Sequence, residues 1–266
     1  MAKTVIVTSC KGGVGKSTVT AGISAALALS GKRALAIDFD FTVRGLELLL
    51  GVENSTVFNW LDVMDGRCDL SRAIIPHGKL GGLYFLAAPR LEQADASSLD
   101  FHGLFGKIKD FRDDGKEFDY VIADVHGKDS DTVRKISEFC DKALVLCDHS
   151  PASVRAAELT GELLRDCGVG DSKLLINSFD ADGALRGNRT GIIELIDTSR
   201  LMLAGVVPYD KELELLGENG ELIDALPKAS NTGRAFMNIT ARLEGDHVPL
   251  FNGFAGGVYK KLLQGK

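Results

Sequence analysis

Short apolar runs alternate with segments of helical periodicity along most of the chain. Each run is bounded by polar or turn-forming residues, which is typical of buried strands. The runs that predict strands are 4–9, 33–37, 82–89, 118–124, 142–147, 173–177 and 203–208. Because strands and helices alternate regularly, the pattern predicts one α/β domain rather than two small ones. A chain of 266 residues can bury roughly three quarters of its unfolded surface in such a domain.

The helical segments carry their own start and stop signals. One predicted helix runs from Lys16 to a C-cap at Gly31, another begins with Ser150 as N-cap and Pro151 at its first position, and a last one covers 232–243. The segment 180–188, with two glycines and mixed charge, predicts a loop. One further helix has an apolar stripe that we assign to the core: Phe101, Leu104, Phe105, Ile108 and Phe111.

A glycine-rich turn joins the first predicted strand to the first predicted helix. It has the sequence Cys-Lys-Gly-Gly-Val-Gly-Lys-Ser-Thr over residues 10–18. Such a turn places unpaired backbone N–H groups and the positive end of a helix dipole around one small volume, which favours an anion. Lys16 would contact β- and γ-phosphates, and the Ser17 hydroxyl would bind Mg²⁺. The turn therefore predicts a P-loop nucleotide site.

Carboxylates follow two of the predicted strands. Asp38 and Asp40 come after the second strand, and Asp124 ends the fourth in a Walker B arrangement. Ligands of parallel sheets bind at the carboxyl ends of the strands, where these side chains would face the phosphates. An Asp-x-Asp pair alone is more typical of a solvated turn, but after a P-loop it indicates a metal site. Asp124 would hold Mg²⁺ through water.

The P-loop resembles the deviant Walker A motif of the MinD/ParA family of ATPases, because Lys11 precedes Gly12-Gly13. The resemblance extends from Val5 to Leu250. It implies a mainly parallel sheet of seven or eight strands with helices on both faces. It also implies a homodimer around two ATP molecules, in which Lys11 reaches the partner's nucleotide.

The same resemblance implies roles for individual residues. Lys11, Lys16 and Asp40 are the catalytic candidates, with Asp40 orienting the attacking water, and Ser17, Asp38 and Asp124 support Mg²⁺. The predicted ATP/ADP contacts are Lys11, Gly12, Gly13, Val14, Gly15, Lys16, Ser17, Thr18, Asn177, Pro208 and Asp210. Asn177 offers the donor and acceptor that an adenine edge requires, although an asparagine at a strand end also favours a turn.

Two positions depart from the family pattern. Cys10 stands where the strict P-loop has glycine, and His126 stands where the switch II loop usually has proline, with Gly127 one residue early. A histidine beside the γ-phosphate would suit catalysis, but a surface histidine in an altered loop is the more common arrangement. The departure leaves nucleotide binding intact in principle and affects the coupling of hydrolysis to conformational change.

The last residues form a separate predicted unit, so that 1–250 is the ATPase domain and 251–266 a membrane-targeting tail. Apolar residues recur at helical spacing in the tail beside a basic stripe, which is typical of a helix lying in a membrane interface. The apolar positions are Phe251, Phe254, Ala255, Val258, Tyr259 and Leu262. One tail would bind weakly, whereas two on a dimer gain roughly 10² to 10⁴ in avidity. A helix packed on its own domain remains the alternative.

Composition limits the function classes. A net charge of -6 disfavours whole-protein attraction to nucleic acid. Five cysteines without a Cys-x-x-Cys pair indicate free thiols in a reducing compartment. Only three residues precede the first strand, and no apolar run approaches the roughly 18 residues of a spanning helix. We therefore expect a cytoplasmic protein, peripheral on the inner face of the cell membrane.

The family resemblance implies an ATPase switch that helps to position the division septum. Its implied partners are a MinC-like division inhibitor and a MinE-like or DivIVA-linked regulator. The main alternative is a ParA-type partition ATPase that binds nonspecific DNA, which the acidic composition and the tail disfavour. A metal-cluster reductase would need cysteines such as Cys140 and Cys147 to converge, and a scaffold without turnover is the remaining possibility.

Overall fold

An eight-stranded sheet forms the centre of the computed structural model, which describes residues 2–90, 99, 101–226 and 230–248. Its strands lie in the order β3-β4-β2-β5-β1-β6-β7-β8. The strands are β1 Lys3–Ser9, β2 Ala34–Asp38, β3 Ile75–Pro76, β4 Leu83–Leu86, β5 Tyr120–His126, β6 Lys142–Cys147, β7 Ser172–Phe179 and β8 Met202–Pro208. Every pair is parallel except β3 with β4. The predicted mainly parallel sheet is therefore confirmed.

The sequence missed only the edge strand β3 among these eight. It is two residues long and contains Pro76, so it has no alternating pattern to detect and can occupy only an edge position. The predicted strand at 82–89 is shorter in the structure, because only Leu83–Leu86 pair in the sheet.

Helices cover both faces of the sheet, as expected. They are α1 Lys16–Leu29, α2 Gly45–Leu49, α3 Trp60–Met64, α4 Leu70–Ala73, α5 His102–Asp110, α6 Ser130–Ser137, α7 Pro151–Asp166, α8 Ala181–Leu185, α9 Ile192–Ser199, α10 Lys211–Glu218, α11 Leu222–Ala225 and α12 Asn231–Glu244. The prediction of a loop at 180–188 was wrong in part. This segment contains α8, whose N-terminus is capped by the Asp180 side chain accepting from the Gly183 N–H.

Two apolar layers hold the helices on the sheet. Alternate residues of β1 belong to different layers, since Val5 and Val7 pack with α1 and α12 while Ile6 packs on the opposite side with α3, α5, α6 and α7. This alternation follows from the period of two along a strand. The central strands are buried on both faces, which is why they appear in the sequence as continuous apolar runs.

Aromatic side chains close the layer next to the carboxyl end of β2. Phe39 contacts Trp60 with ring centroids 5.7 Å apart and Phe101 with centroids 5.4 Å apart. The Trp60 indole N–H donates to the Asp38 carbonyl at 2.9 Å. Phe101, Leu104, Phe105 and Ile108 are buried and Phe111 is partly buried. The predicted core stripe is therefore confirmed, and it helps to fix the end of β2.

Helices α1 and α12 make a close contact in the other layer. A side chain at Gly22 would lie 2.5 Å from two carbons of the Phe236 ring. The ring of Phe236 is fully buried. At the far end of α12, Arg242 donates to the carbonyls of Ala204 and Val248, each at 2.7 Å. Helix α12 is thus held between α1 and β8.

All five cysteines are free thiols, as the composition indicated. Within the ranges that the structure covers, no helix is both long enough and apolar enough to cross a bilayer. The predicted tail, 251–266, lies outside the described residues.

We expect Phe236→Ala to lower the free energy of unfolding by about 3–5 kcal/mol, because it removes a fully buried ring between two helices. Urea unfolding monitored by circular dichroism measures this. Leu159→Ala is the matched control, since Leu159 is 55% exposed on α7, and its effect should stay within about 0.5 kcal/mol. Similar losses for the two variants would contradict the packing described here.

Candidate functional site

The turn between β1 and α1 has the geometry of an anion cradle. Gly13 and Gly15 have φ of 76° and 85°, a left-handed conformation that favours glycine. A side chain added at Gly12 or Gly13 would meet no atom within 4 Å, so this part of the backbone is open to a ligand. No side chain caps the N-terminus of α1, and its first turn holds no acidic residue. The terminal N–H groups are therefore available to an anion.

A cavity of about 540 Å³ lies over this turn. One wall is the P-loop with the start of α1, and another contains Asp40 and His126. The remaining walls come from α2, α10 and Val43, which lies two residues before α2. The lining residues are Gly12, Gly13, Gly15, Lys16, Ser17, Thr18, Asp40, Val43, Gly45, Leu48, Leu49, His126, Leu213, Glu214, Gly217 and Glu218. The structure thus brings together the P-loop, Asp40 and His126.

Two buried carboxylates stand side by side at the edge of the sheet. Asp38 of β2 and Asp124 of β5 are paired in the parallel ladder, and both side chains are buried. Asp38 accepts hydrogen bonds from the N–H of Asp40 at 2.8 Å and of Leu46 at 3.4 Å. Burial and the neighbouring charge of Asp124 raise the pKa of Asp38 well above its usual value.

Asp124 differs from Asp38 because both of its oxygens are buried and, among the described residues, neither accepts a hydrogen bond of good geometry, although the Ser17 hydroxyl lies near enough to affect its pKa. Burial raises the pKa of Asp124 to about 6, although the Ser17 hydroxyl and the charge of Lys16 act in the opposite direction. A buried polar group without a partner is rare in folded proteins. Its position beside the P-loop indicates that the partner arrives with a ligand.

The donor set fits a Mg²⁺ ion that is delivered with a phosphate. Among the described residues, no set of three or more His, Cys, Asp or Glu side chains is arranged to hold a metal. Mg²⁺ is commonly bound by one or two protein oxygens together with phosphate and water. Ser17 and the unsatisfied carboxylate of Asp124 supply such oxygens.

Asp40 closes the loop after β2. Its Oδ1 accepts from the N–H of Thr42 at 2.9 Å and of Val43 at 3.2 Å, so the side chain stabilises its own turn. Asp40 also lines the cavity. The turn-forming role and the predicted role in water orientation are therefore compatible at this position.

Lys11 is held within its own chain. Its Nζ donates to Asp148 Oδ2 at 2.6 Å and to Ser150 Oγ at 2.9 Å. Burial would raise the pKa of Asp148, but hydrogen bonds from Lys11 and Ser150 outweigh it and lower the pKa. Sequence reasoning did not find Asp148. Its only local signal is that it directly follows the buried strand β6, at the same edge of the sheet where Asp38 ends β2.

The three predicted base contacts have structural roles. The Asn177 side chain is buried and donates to the Val14 carbonyl at 2.8 Å, and a side chain at Gly15 would clash with its Nδ2. Asp210 caps α10 by accepting from the N–H of Glu212 and Leu213, and its other oxygen accepts from Thr232 Oγ1 at 2.8 Å. Pro208 ends β8. None of the three lines the cavity, so adenine contact stays a prediction for them.

The loop after β5 lies directly against the P-loop. Cys10 Sγ donates to the Gly127 carbonyl at 3.2 Å. A side chain at Gly127 would clash with Ser9 and would lie 2.7 Å from the Cys10 nitrogen. Cys10, one departure from the family pattern, therefore contacts Gly127, the residue next to His126, the other departure. Burial and the charge of Lys16 lower the pKa of His126, and Asp40 opposes them.

This fold and this site define a class: an α/β protein with a P-loop at the carboxyl edge of a parallel sheet and an unsatisfied carboxylate beside it. Residues 5–223 match the family described as CobQ/CobB/MinD/ParA nucleotide binding domain. The chain belongs to this family of nucleotide-binding proteins. Within it, relatives and solved structures identify the chain as a MinD-like cell division ATPase.

The similar proteins cover nearly the whole chain. The septum site-determining protein MinD of Synechocystis is 31% identical over 253 residues, which is 95% of this chain and 93% of the relative. In the MinC:MinD cell division protein complex of Aquifex aeolicus, the matched structure has a TM-score of 0.84 and 27% identity, covering 95% of this chain and 99% of that one.

Other solved structures show the same fold at lower identity. MinD of Pyrococcus horikoshii, complexed with Mg-ADP, has a TM-score of 0.77 and 23% identity, covering 92% of this chain and 96% of that one. Structures of a ParA family ATPase and of a plasmid partition protein are more distant, with lower TM-scores and identities. The comparisons therefore favour the MinD side of the family over the ParA alternative.

We expect Asp124→Asn to stabilise the nucleotide-free protein at pH 8. The pKa of Asp124 is raised to about 6 in the folded state, so its charged form opposes folding above that pH. The variant should gain about 2–3 kcal/mol in free energy of unfolding at pH 8, since one pKa unit corresponds to about 1.4 kcal/mol. The gain should fall as pH decreases from 6 and vanish near pH 4.

Urea unfolding in EDTA at several pH values measures this difference. Asp110→Asn removes one charge at an exposed position of α5 and serves as the control, with little expected change at any pH. A loss of stability in Asp124→Asn at pH 8 would show that the carboxylate has a partner in the unliganded protein.

Proposed function

We propose that this chain is an ATP-driven switch that dimerises, attaches to a membrane through residues 251–266 and helps to position the division septum. The observation that carries the proposal is the unsatisfied Asp124 carboxylate beside an open glycine cradle. ATP or ADP with Mg²⁺ would account for both features, because the phosphates fit the glycine cradle and the cation would neutralise the carboxylate.

The P-loop would bind the nucleotide mainly through its backbone. The free N–H groups at the start of α1 surround the phosphates, and Lys16, which is buried, places its charge beside them. Ser17 and Asp124 would hold Mg²⁺, with Asp38 orienting the loop that contains Asp40 through its bond to the Asp40 N–H. When bound, Mg²⁺ neutralises charge on the phosphates.

Hydrolysis would depend on positioning. Phosphoryl transfer needs an aligned nucleophile and charge stabilisation rather than covalent chemistry from the protein. Asp40 lies in the cavity wall with its Oδ1 engaged by two backbone N–H groups, which fixes the carboxylate. From that position it would orient the attacking water, as the family resemblance implies.

Dimerisation would use Lys11. In the single chain, Lys11 is bound to Asp148 and Ser150, and this pair is partly exposed. Partly exposed ion pairs contribute only about 1 kcal/mol or less, so a partner's nucleotide can compete for the lysine. Release of Lys11 from Asp148 would therefore accompany assembly around ATP.

Partner and membrane assignments rest on the relatives and on the sequence. The Aquifex aeolicus structure is a complex of MinC with MinD, which supports a MinC-like inhibitor as a partner of this chain; the MinE-like or DivIVA-linked regulator stays an expectation from the resemblance. The apolar and basic stripes of residues 251–266 support attachment to an anionic lipid surface.

We expect Asp40→Ala and Lys11→Ala to separate hydrolysis from assembly. Asp40→Ala should release phosphate about 10²-fold more slowly yet still dimerise with ATP, because the P-loop and Lys11 are intact. Lys11→Ala should bind ADP but stay monomeric with ATP. Light scattering after size-exclusion chromatography and a phosphate-release assay measure the two effects.

Lys116→Ala is the control, because Lys116 lies near the amino ends of the strands, away from the P-loop. This variant should behave as the unmodified protein does. If Lys11→Ala dimerises with ATP as the unmodified protein does, the assembly proposed here is wrong. If neither variant changes phosphate release, the catalytic assignment is wrong.

We expect replacement of Phe254 and Leu262 by glutamate to abolish ATP-dependent binding to vesicles that contain phosphatidylglycerol, because it places charge on the apolar stripe. Co-sedimentation of the full chain with a nonhydrolysable ATP analogue or ADP measures binding. Asn252→Ala with Gln264→Ala, on the polar face, should pellet as the unmodified protein does. Membrane attachment through this segment would be refuted if the glutamate variant pelleted as much as the unmodified protein. Equal pelleting of a chain that ends at Leu250 and of the unmodified protein would refute it as well.

A further inference from the structure

His126 reaches the site because of the register of the central strands. It is the last residue of β5 and pairs with Ser9, the last residue of β1. The P-loop begins at Cys10, directly after β1, so the ladder places His126 at the mouth of the cradle. His126 lines the cavity together with Lys16, Ser17 and Asp40.

The backbone after His126 has little freedom. Gly127 lies so close to Ser9 and Cys10 that a side chain there would clash. Its carbonyl also accepts from the Cys10 thiol at 3.2 Å. The P-loop and the loop after β5 are therefore in direct contact at the residue that follows the histidine.

The hydrogen bonds of the ring identify its free group. His126 Nδ1 accepts from the Lys128 N–H at 3.3 Å, so in the neutral ring the proton is on Nε2. Within the part of the chain that the structure describes, Nε2 has no hydrogen-bond partner. The side chain is half-buried. A residue that lines the cavity thus carries an N–H donor that is available to a ligand.

The His126 donor lies on the side of the cavity where the terminal phosphate of a nucleotide would lie. In a P-loop, the lysine reaches the β- and γ-phosphates, so the region between Lys16 and Asp40 belongs to the terminal phosphate. A proline at position 126 would have no N–H and no polar side chain. The histidine therefore adds a donor on the side of the cavity that only a triphosphate fills.

We propose that His126 is a substrate-contacting residue, whose Nε2–H donates to the γ-phosphate of bound ATP and makes the site prefer ATP over ADP. The proposal rests on the proposed function, because it needs a nucleotide in the cradle. A hydrogen bond to a charged phosphate oxygen is stronger than one between neutral groups. The same bond would hold the loop 126–128 against the terminal phosphate until hydrolysis removes it.

The test is nucleotide affinity rather than turnover. Equilibrium titration at pH 7.5 with Mg²⁺ compares a nonhydrolysable ATP analogue with ADP, each as a fluorescent derivative. His126→Ala should weaken the analogue about tenfold and leave ADP within about twofold. His126→Gln, whose amide can donate from nearly the same place, should restore most of the analogue's affinity. His102→Ala, on the exposed start of α5, should bind both nucleotides as the unmodified protein does.

The outcomes separate this proposal from the function on which it rests. Equal weakening of both nucleotides in His126→Ala would mean that the histidine only supports the loop, and unchanged affinity for the analogue would mean that it makes no contact; either result overturns the proposal. Failure of the unmodified protein to bind either nucleotide would refute the proposed function and this contact together. Thermal melts of the variants show whether each is folded before titration.

Discussion

The register of three central strands determines the site. Because β2, β5 and β1 are parallel and in step, Asp38, Asp124 and Val7 lie in one row across the sheet, and His126 pairs with Ser9 two residues further along. The P-loop begins directly after Ser9. Apolar layers on both faces hold these strands in place, and a shift of one residue would turn every side chain to the opposite face. The arrangement of the site at the carboxyl edge of the sheet therefore depends on the packing of the whole domain.

The site is arranged at the expense of the stability of the unliganded protein. Asp38 and Asp124 are adjacent, buried and negatively charged when ionised, and burial raises the pKa of both. Only Asp38 receives backbone hydrogen bonds. A buried charge without compensation is strongly unfavourable, and a bound cation is the simplest compensation. Ligand binding should accordingly stabilise the fold by mass action.

Sequence reasoning was most successful for residues whose placement in the fold depends on local spacing. The P-loop glycines, Lys16 and the carboxylates at strand ends follow from short motifs, because a strand, a turn and a helix position their own neighbours. It was least successful for contacts between distant segments. Asp148 binds Lys11 across 137 positions, and Asn177 supports the Val14 carbonyl across 163. No periodicity in the chain marks such pairs, because the folded sheet creates them.

The contact between Gly22 and Phe236 has a mechanical consequence. The P-loop leads directly into α1, and the Phe236 ring occupies the space that a side chain at 22 would need, so the two helices have no room to slide independently. Close-packed interiors transmit displacement instead of absorbing it. Helix α12 is in turn tied to β8 and to the chain at Val248 through Arg242. The pair of helices thus forms a stiff connection between the phosphate cradle and the chain at Val248.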